Sequence, residues 1–164
     1  MELLQKNLIY SDACGVGEAF DTEVVRAMML LRANAISKGY SGVMIETVEC
    51  LLNMLNAGVH PIVRSKGSVG SSGDLCPLAH MVLPMMGEGE AEYKGEILSG
   101  KEAMKKAGIS IITLRAKEGL ALINGTQAMM GNAVLAVYDA EKLLKQADFI
   151  ASLTVDALGG IIDA

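Results

Sequence analysis

From about Thr126 to Leu158 the sequence runs without a proline and with one glycine, Gly131, until Gly159-Gly160 stops it. A helix that long must either cross a membrane or pack among other helices. Gly119 to Tyr138 carries no charge, which raises the membrane alternative. Asn124, Thr126, Gln127 and Asn132 interrupt that stretch, and Asn124-Gly125 marks a break. The sequence therefore favours a long central helix buried on all sides, and with it a mainly α fold.

Composition points the same way. Of the 164 residues 51% are hydrophobic but only 4% aromatic, so Ala, Leu, Ile, Val and Met supply the apolar volume. That is the palette of packed helices more than of a β-sandwich. Mean hydropathy is positive, which for a chain this size predicts apolar surface buried against other chains. A net charge of -5 gives no electrostatic reason to expect nucleic acid. Cys14, Cys50 and Cys76 form no CxxC, and Met1 to Lys6 lacks the pattern of a secretory leader. Both predict free thiols in a reducing cytoplasm. His60 and His80 stand alone, without metal-ligand spacing, so no metal is expected.

Helical patterns fill most of the chain. One starts at Asp21 or Thr22, places Val24, Met28, Leu31 and Ala35 on one face, and ends at Gly39. Another follows Ser41 through Ile45, Val48, Leu52 and Leu55 to Gly58, and the short link makes the two antiparallel neighbours. Asp74 to Met86 is a third, with Pro77 near its start and Pro84 bending or ending it. Glu90 to Leu98, around Tyr93-Lys94-Gly95-Glu96, predicts a β-hairpin. Ser99 can cap a short helix to Ala107, and Thr113 another through Leu122. No linker divides the chain, so residues 1–164 read as a single domain.

Between these helices Gly67-Ser68-Val69-Gly70-Ser71-Ser72-Gly73-Asp74 is a run with almost nothing to bury. It can be a flexible loop. A phosphate cradle fits poorly, because Asp74 stands where a P-loop has its lysine and would repel phosphate. A dinucleotide fingerprint would need a preceding strand and GxGxxG.

The longer segment Gly67 to Met81, with Asp74-Leu75-Cys76-Pro77-Leu78-Ala79-His80, is similar to the signature of the ammonia-lyases acting on histidine and aromatic amino acids. Leu4-Gln5-Lys6-Asn7-Leu8, Gly15-Val16-Gly17-Glu18, Arg32-Ala33-Asn34, Gly39-Tyr40-Ser41-Gly42-Val43, Gly87-Glu88-Gly89-Glu90-Ala91, Lys117 to Leu122 and Asn124-Gly125-Thr126 resemble the family in the same order. The resemblance implies the ammonia-lyase helical bundle, shared by four chains. It also implies a self-made electrophile, methylidene-imidazolone (MIO), formed from Ser71-Ser72-Gly73. The Gly73 nitrogen would attack the Ser71 carbonyl carbon, unhindered by a side chain, and Ser72 would lose its hydroxyl as water to leave an exocyclic methylene. Ser71 stands in place of the family's usual Ala and contributes only its carbonyl. Asp74 matches an acidic residue that assists closure; an N-cap for the following helix is an equal and compatible role. Asn124 matches the residue that hydrogen-bonds around the ring and substrate.

Histidine-specific members carry Ser-His where this chain has Ser11-Asp12, the expected substrate side-chain pocket. An Asp there would pair with a cationic or imidazolium group and is a poor partner for a phenyl ring; a solvent or capping role for Asp12 stays open. The family's upstream Tyr base and its downstream carboxylate-binding Arg have no counterpart in the sequence. The expectation is therefore an internal piece of a histidine-type ammonia-lyase, inactive alone and homo-oligomeric, with a non-catalytic remnant or one half of a split lyase as the alternative.

Overall fold

The computed structural model describes residues 1–161 and is mainly α. The helices are α1 (Glu2–Asp12), α2 (Thr22–Ile36), α3 (Ile45–Ala57), α4 (Leu75–Val82), α5 (Gly100–Lys106), α6 (Glu118–Ile123) and α7 (Gln127–Ala157), with a 3-10 turn at Leu83–Met86. Five short strands complete it: β1 (Val16–Ala19), β2 (Val59–Pro61), β3 (Arg64–Lys66), β4 (Glu90–Tyr93) and β5 (Glu96–Ser99). The chain divides into two compact units, Met1–Asn132 and Ala133–Ala164.

In the first unit the core gathers Met28, Met29 and Ile36 of α2, Leu51 and Met54 of α3, Leu78 and Met81 of α4, Met104 of α5, and Leu122 and Ile123 of α6, all fully buried. The hairpin expected around Tyr93 to Glu96 is present as β4–β5, and β2 adds a third antiparallel strand through His60↔Glu92. Ser99 caps α5 as expected, its hydroxyl accepting the Glu102 N–H. Gly58, at φ +74°, closes α3 in the left-handed conformation that a Cβ disfavours.

Several expectations need correction. α1 has no helical signal in the sequence because only Gln5 and Ile9 are buried. The β1–β3 ribbon is equally unannounced, since every residue of β1 is exposed. The buried face of α2 includes Val24 and Met28 as expected, but continues through Val25, Met29, Arg32, Ala33 and Ile36, leaving Leu31 and Ala35 at its margin. In α3, Ile45 and Leu52 are exposed while Thr47, Cys50 and Leu51 face inward. Residues 113–117 are not helical. Ile112 donates its N–H to Met85 at 2.8 Å, and α6 starts only after Lys117, which has φ +72°. Here tertiary bonds override local propensity.

The break at Asn124-Gly125 is real, separating α6 from α7. By length and composition alone, Glu118–Ala157 would be apolar enough to cross a membrane. The expectation of a helix buried on all sides is not met within this chain: α7 buries only Ala128 and Gly131 among its residues.

Candidate functional site

The Gly/Ser run is anchored at one end and open at the other. Ser71 and Ser72 are exposed, Gly73 is half-buried and Asp74 is 3% exposed. Ser72 has φ +62°, a left-handed conformation that costs a non-glycine residue roughly 1 kcal/mol or more. Gly73 follows at φ +111°. A Cβ there would lie 2.8 Å from the Gly125 nitrogen, 2.9 Å from its oxygen and 3.3 Å from Asn124 Oδ1. The backbone of residue 73 is thus pressed against the Asn124-Gly125 turn, and only glycine fits. The Asp74 N–H donates to Gly125 O at 2.6 Å, locking the two segments together.

Asp74 occupies the N-cap position of α4, yet its side chain makes no capping bond to that helix. It caps α7 instead. Oδ2 accepts the Met129 N–H at 2.8 Å, an otherwise orphan donor in the first turn, and Oδ1 accepts the Ser68 hydroxyl at 3.1 Å. One buried carboxylate therefore ties the start of the loop to the start of the long helix.

Beneath the turn lies Arg32, 4% exposed. Its Nη1 donates to Gln127 Oε1 at 2.9 Å, and its Nη2 donates to Asn124 O at 3.3 Å and also to Ala121 O. A Cβ on Gly125 would collide with both Arg32 Nη1 and Gln127 Oε1. Arg32 and Gln127 back Gly125, and Gly125 backs Gly73. Burial lowers the Arg32 pKa from its ordinary value, and its Nε has no partner among the described residues.

The other flank of the loop meets Gly15, beyond the end of α1, and Cys76 of α4. Gly15 donates its N–H to His80 Nε2 at 3.0 Å, so that ring nitrogen serves as an acceptor. Burial, and then the Arg64 charge, push the imidazole below its usual range, which keeps that nitrogen free to accept. Cys76 Sγ packs against Gly67, and it would lie 3.1 Å from a Cβ at Gly15. Burial first, then the neighbouring Cys14 and Asp12, push the Cys76 thiol up. Cys14, Cys50 and Cys76 are free in the structure.

The structure thus brings Gly73, Asp74 and Asn124 together at one point, with Ser71 and Ser72 on the open side. Ser11 and Asp12 end α1; the Ser11 hydroxyl donates back to Leu8 O at 2.8 Å, and no described bond joins either side chain to residues 71–73. Asp12 is half-buried near Cys76. Arg32 and Gln127 escaped the sequence reading as site residues. Arg32 lies within the Arg32-Ala33-Asn34 stretch that resembles the family, but nothing in one sequence shows that its fork reaches across to residues 121–127. Among the described residues no cluster of His, Cys, Asp and Glu could hold a metal ion.

A family model described as aromatic amino acid lyase matches residues 1–164. Histidine ammonia-lyase 2 of Fusobacterium nucleatum subsp. nucleatum is 93% identical over the whole chain, which covers 32% of that protein. Among solved structures, histidine ammonia-lyase from Trypanosoma cruzi superposes with a TM-score of 0.92 at 41% identity, over 98% of this chain and 32% of that one. Pantoea agglomerans phenylalanine aminomutase superposes at 0.91 with 43% identity, over 96% and 30%. The chain spans about a third of the length of the curated relatives it matches.

Proposed function

Since this chain belongs to the aromatic amino acid lyase family, we propose that it carries the ring-forming segment of a histidine-type ammonia-lyase, with MIO made from Ser71-Ser72-Gly73. One observation supports the reading above others. The Gly73 backbone is wedged against Gly125 with no room for a Cβ, and the adjacent Asp74 N–H is bonded to Gly125 O. A merely flexible Gly/Ser loop would have neither feature.

In this reading Ser71 supplies the carbonyl, Ser72 the methylene carbon and Gly73 the attacking nitrogen. Asp74 holds the start of the loop through Ser68 and Met129, and Asn124 presents its amide beside Gly73. When formed, the ring supplies an electrophile for the substrate amine. Asp12 fits a cationic or imidazolium side chain better than a phenyl ring; L-histidine as the substrate rests on the overall similarity to histidine ammonia-lyases. The complete enzyme is a soluble cytoplasmic homo-oligomer of histidine catabolism. None of Ser71, Ser72, Gly73, Asp74 and Asn124 is assigned as the base that removes the β-proton, and Ser71, Ser72 and Asn124 stand open to solvent. Alone, the chain keeps its backbone uncyclised and does not release urocanate from L-histidine.

The test replaces the matching segment of the 93% identical Fusobacterium nucleatum lyase with this chain. The expected product lacks two waters in the peptide spanning Ser71 to Gly73 and turns over L-histidine. Ser72→Ala has no hydroxyl to lose as the second water, forms no exocyclic methylene and lowers turnover by roughly two orders of magnitude or more. An unsubstituted chimera that folds but retains both waters would overturn the proposal.

A further inference from the structure

We propose that Arg32 is a positioning residue for ring closure, acting through the Asn124-Gly125 turn; this rests on the functional reading just given. Closure joins the Gly73 nitrogen to the Ser71 carbonyl carbon; the carbonyl oxygen leaves as water with the Gly73 and Ser72 amide hydrogens, and a C=N bond to the Ser72 nitrogen replaces it. Ser72 loses its hydroxyl and its α-hydrogen as the second water. No oxidant or reductant is needed, so the demand on the protein is geometric: the loop must be held folded on itself.

The structure shows what it is held against. Gly73 rests on the Gly125 peptide, with Asn124 Oδ1 beside it. A peptide at a helix break is not rigid by itself, and Asn124 is exposed. Rigidity comes from below. The Arg32 guanidinium reaches the carbonyls of Ala121 and Asn124 with one nitrogen and Gln127 Oε1 with another. It thereby clamps the last turn of α6 to the first turn of α7. Gly125 has no Cβ, and one added there would strike both Arg32 Nη1 and Gln127 Oε1. The guanidinium, Gly125 and Gly73 form three successive layers.

Two further facts argue against a role in packing alone. Arg32 lies within the core-facing stripe of α2, where an apolar side chain would leave no donor unsatisfied, yet its buried Nε has no partner among the described residues. A planar fork on one stem can bridge three acceptors from two helices; an ammonium cannot reproduce that geometry.

The test follows the rate at which the two-water deficit appears after synthesis, in the chimera described above. Arg32→Lys keeps the charge and loses the fork; closure is expected to slow roughly tenfold or more. Gln127→Met leaves Arg32 in place and removes one anchor; it should slow closure several-fold, and it carries the test if Arg32→Lys does not fold. Thr47→Val, which removes the 2.6 Å bond to Glu118 without touching the turn, should lower the thermal midpoint and leave the rate unchanged. Unchanged closure in Arg32→Lys or, where that variant does not fold, in Gln127→Met would overturn the proposal. So would slowing that merely tracks the thermal midpoint across all three variants. Absence of the deficit in the unsubstituted chimera would overturn the functional reading, and this inference with it.

Discussion

Residues 1–132 bury Gln5, Arg32, Thr47, Asp74 and Glu118 and give each a partner far along the chain. Residues 133–161 bury no side chain, and the side-chain bonds there return to the same helix, Ser152 to Phe149 O and Thr154 to Ile150 O. Yet this second region is the more apolar to the eye: Val137, Tyr138, Leu143, Leu144, Phe149, Ile150 and Leu153 are all more than half exposed. The first region's shape is set by tertiary bonds between helices. The second is a stretch of helix whose apolar side chains are largely exposed. Exposed apolar surface on that scale is an interaction surface or an aggregation liability.

The sharpest way to break this contrast is to cut between the regions. The full chain is expected to self-associate and to give a multiple of its 17.2 kDa mass by light scattering. A chain ending at Asn132 is expected to remain folded and to lose that association. A full chain that runs as a clean monomer at working concentrations would remove the basis for the homo-oligomer reading.

Within the first region the buried carboxylate of Glu118 measures how far tertiary bonding outweighs propensity. It is 1% exposed and accepts from Thr47 Oγ1 at 2.6 Å, Met44 N at 2.8 Å and Arg115 N at 2.7 Å. Burial alone would raise its pKa; the three donors outweigh burial and hold it below the usual carboxylate range. Glu118→Ala strands those donors and should cost about 3 kcal/mol or more in a denaturant melt. Unfolded, Glu118 binds its proton more readily than folded. Its contribution is therefore full above the ordinary value of 4.5 and lost as pH falls through the lower folded value. A loss below about 1 kcal/mol would show that the α6 start is held by packing instead.

Glu118 also shows why the sequence was legible only in part. Helices with a strong apolar period or a clear stop, α3 to Gly58 and α5 behind Ser99, stand out from single residues. So does the break at Asn124-Gly125. What could not be read is what distant residues do to one another. Thr47 faces inward because Glu118 is there, which turns the buried face of α3 away from Ile45 and Leu52. Asp74 sits at the N-cap of α4 yet caps α7, a choice settled by Met129 approaching from far along the chain. The site divides the same way. Resemblance singled out Ser71, Ser72, Gly73, Asp74 and Asn124, whereas the Arg32–Gln127 support requires the folded geometry of α2 against the α6–α7 break.

The finest test of the first region's internal bonding is His80. Its Nε2 must be unprotonated to accept the Gly15 N–H at 3.0 Å. Burial and the Arg64 charge hold its pKa below 6.5 in the folded chain, while the unfolded chain takes up the proton near that ordinary value. Between the two values the unfolded state binds more protons. Stability is therefore full above about pH 6.5 and falls as the pH drops toward the folded value, with a slope of at most about 1.4 kcal/mol per pH unit from this group. His80→Gln keeps an acceptor near the Nε2 position and cannot titrate. It should match the parent in a denaturant melt at pH 8 and lose less stability at pH 5.5. The difference between the two curves isolates His80 from His60, the other histidine, which pairs with Glu92 at 2.7 Å. Identical slopes in the two proteins would mean that the α1–α4 junction does not depend on a neutral His80, and that Gly15 is held by its contact with Cys76 and Arg64.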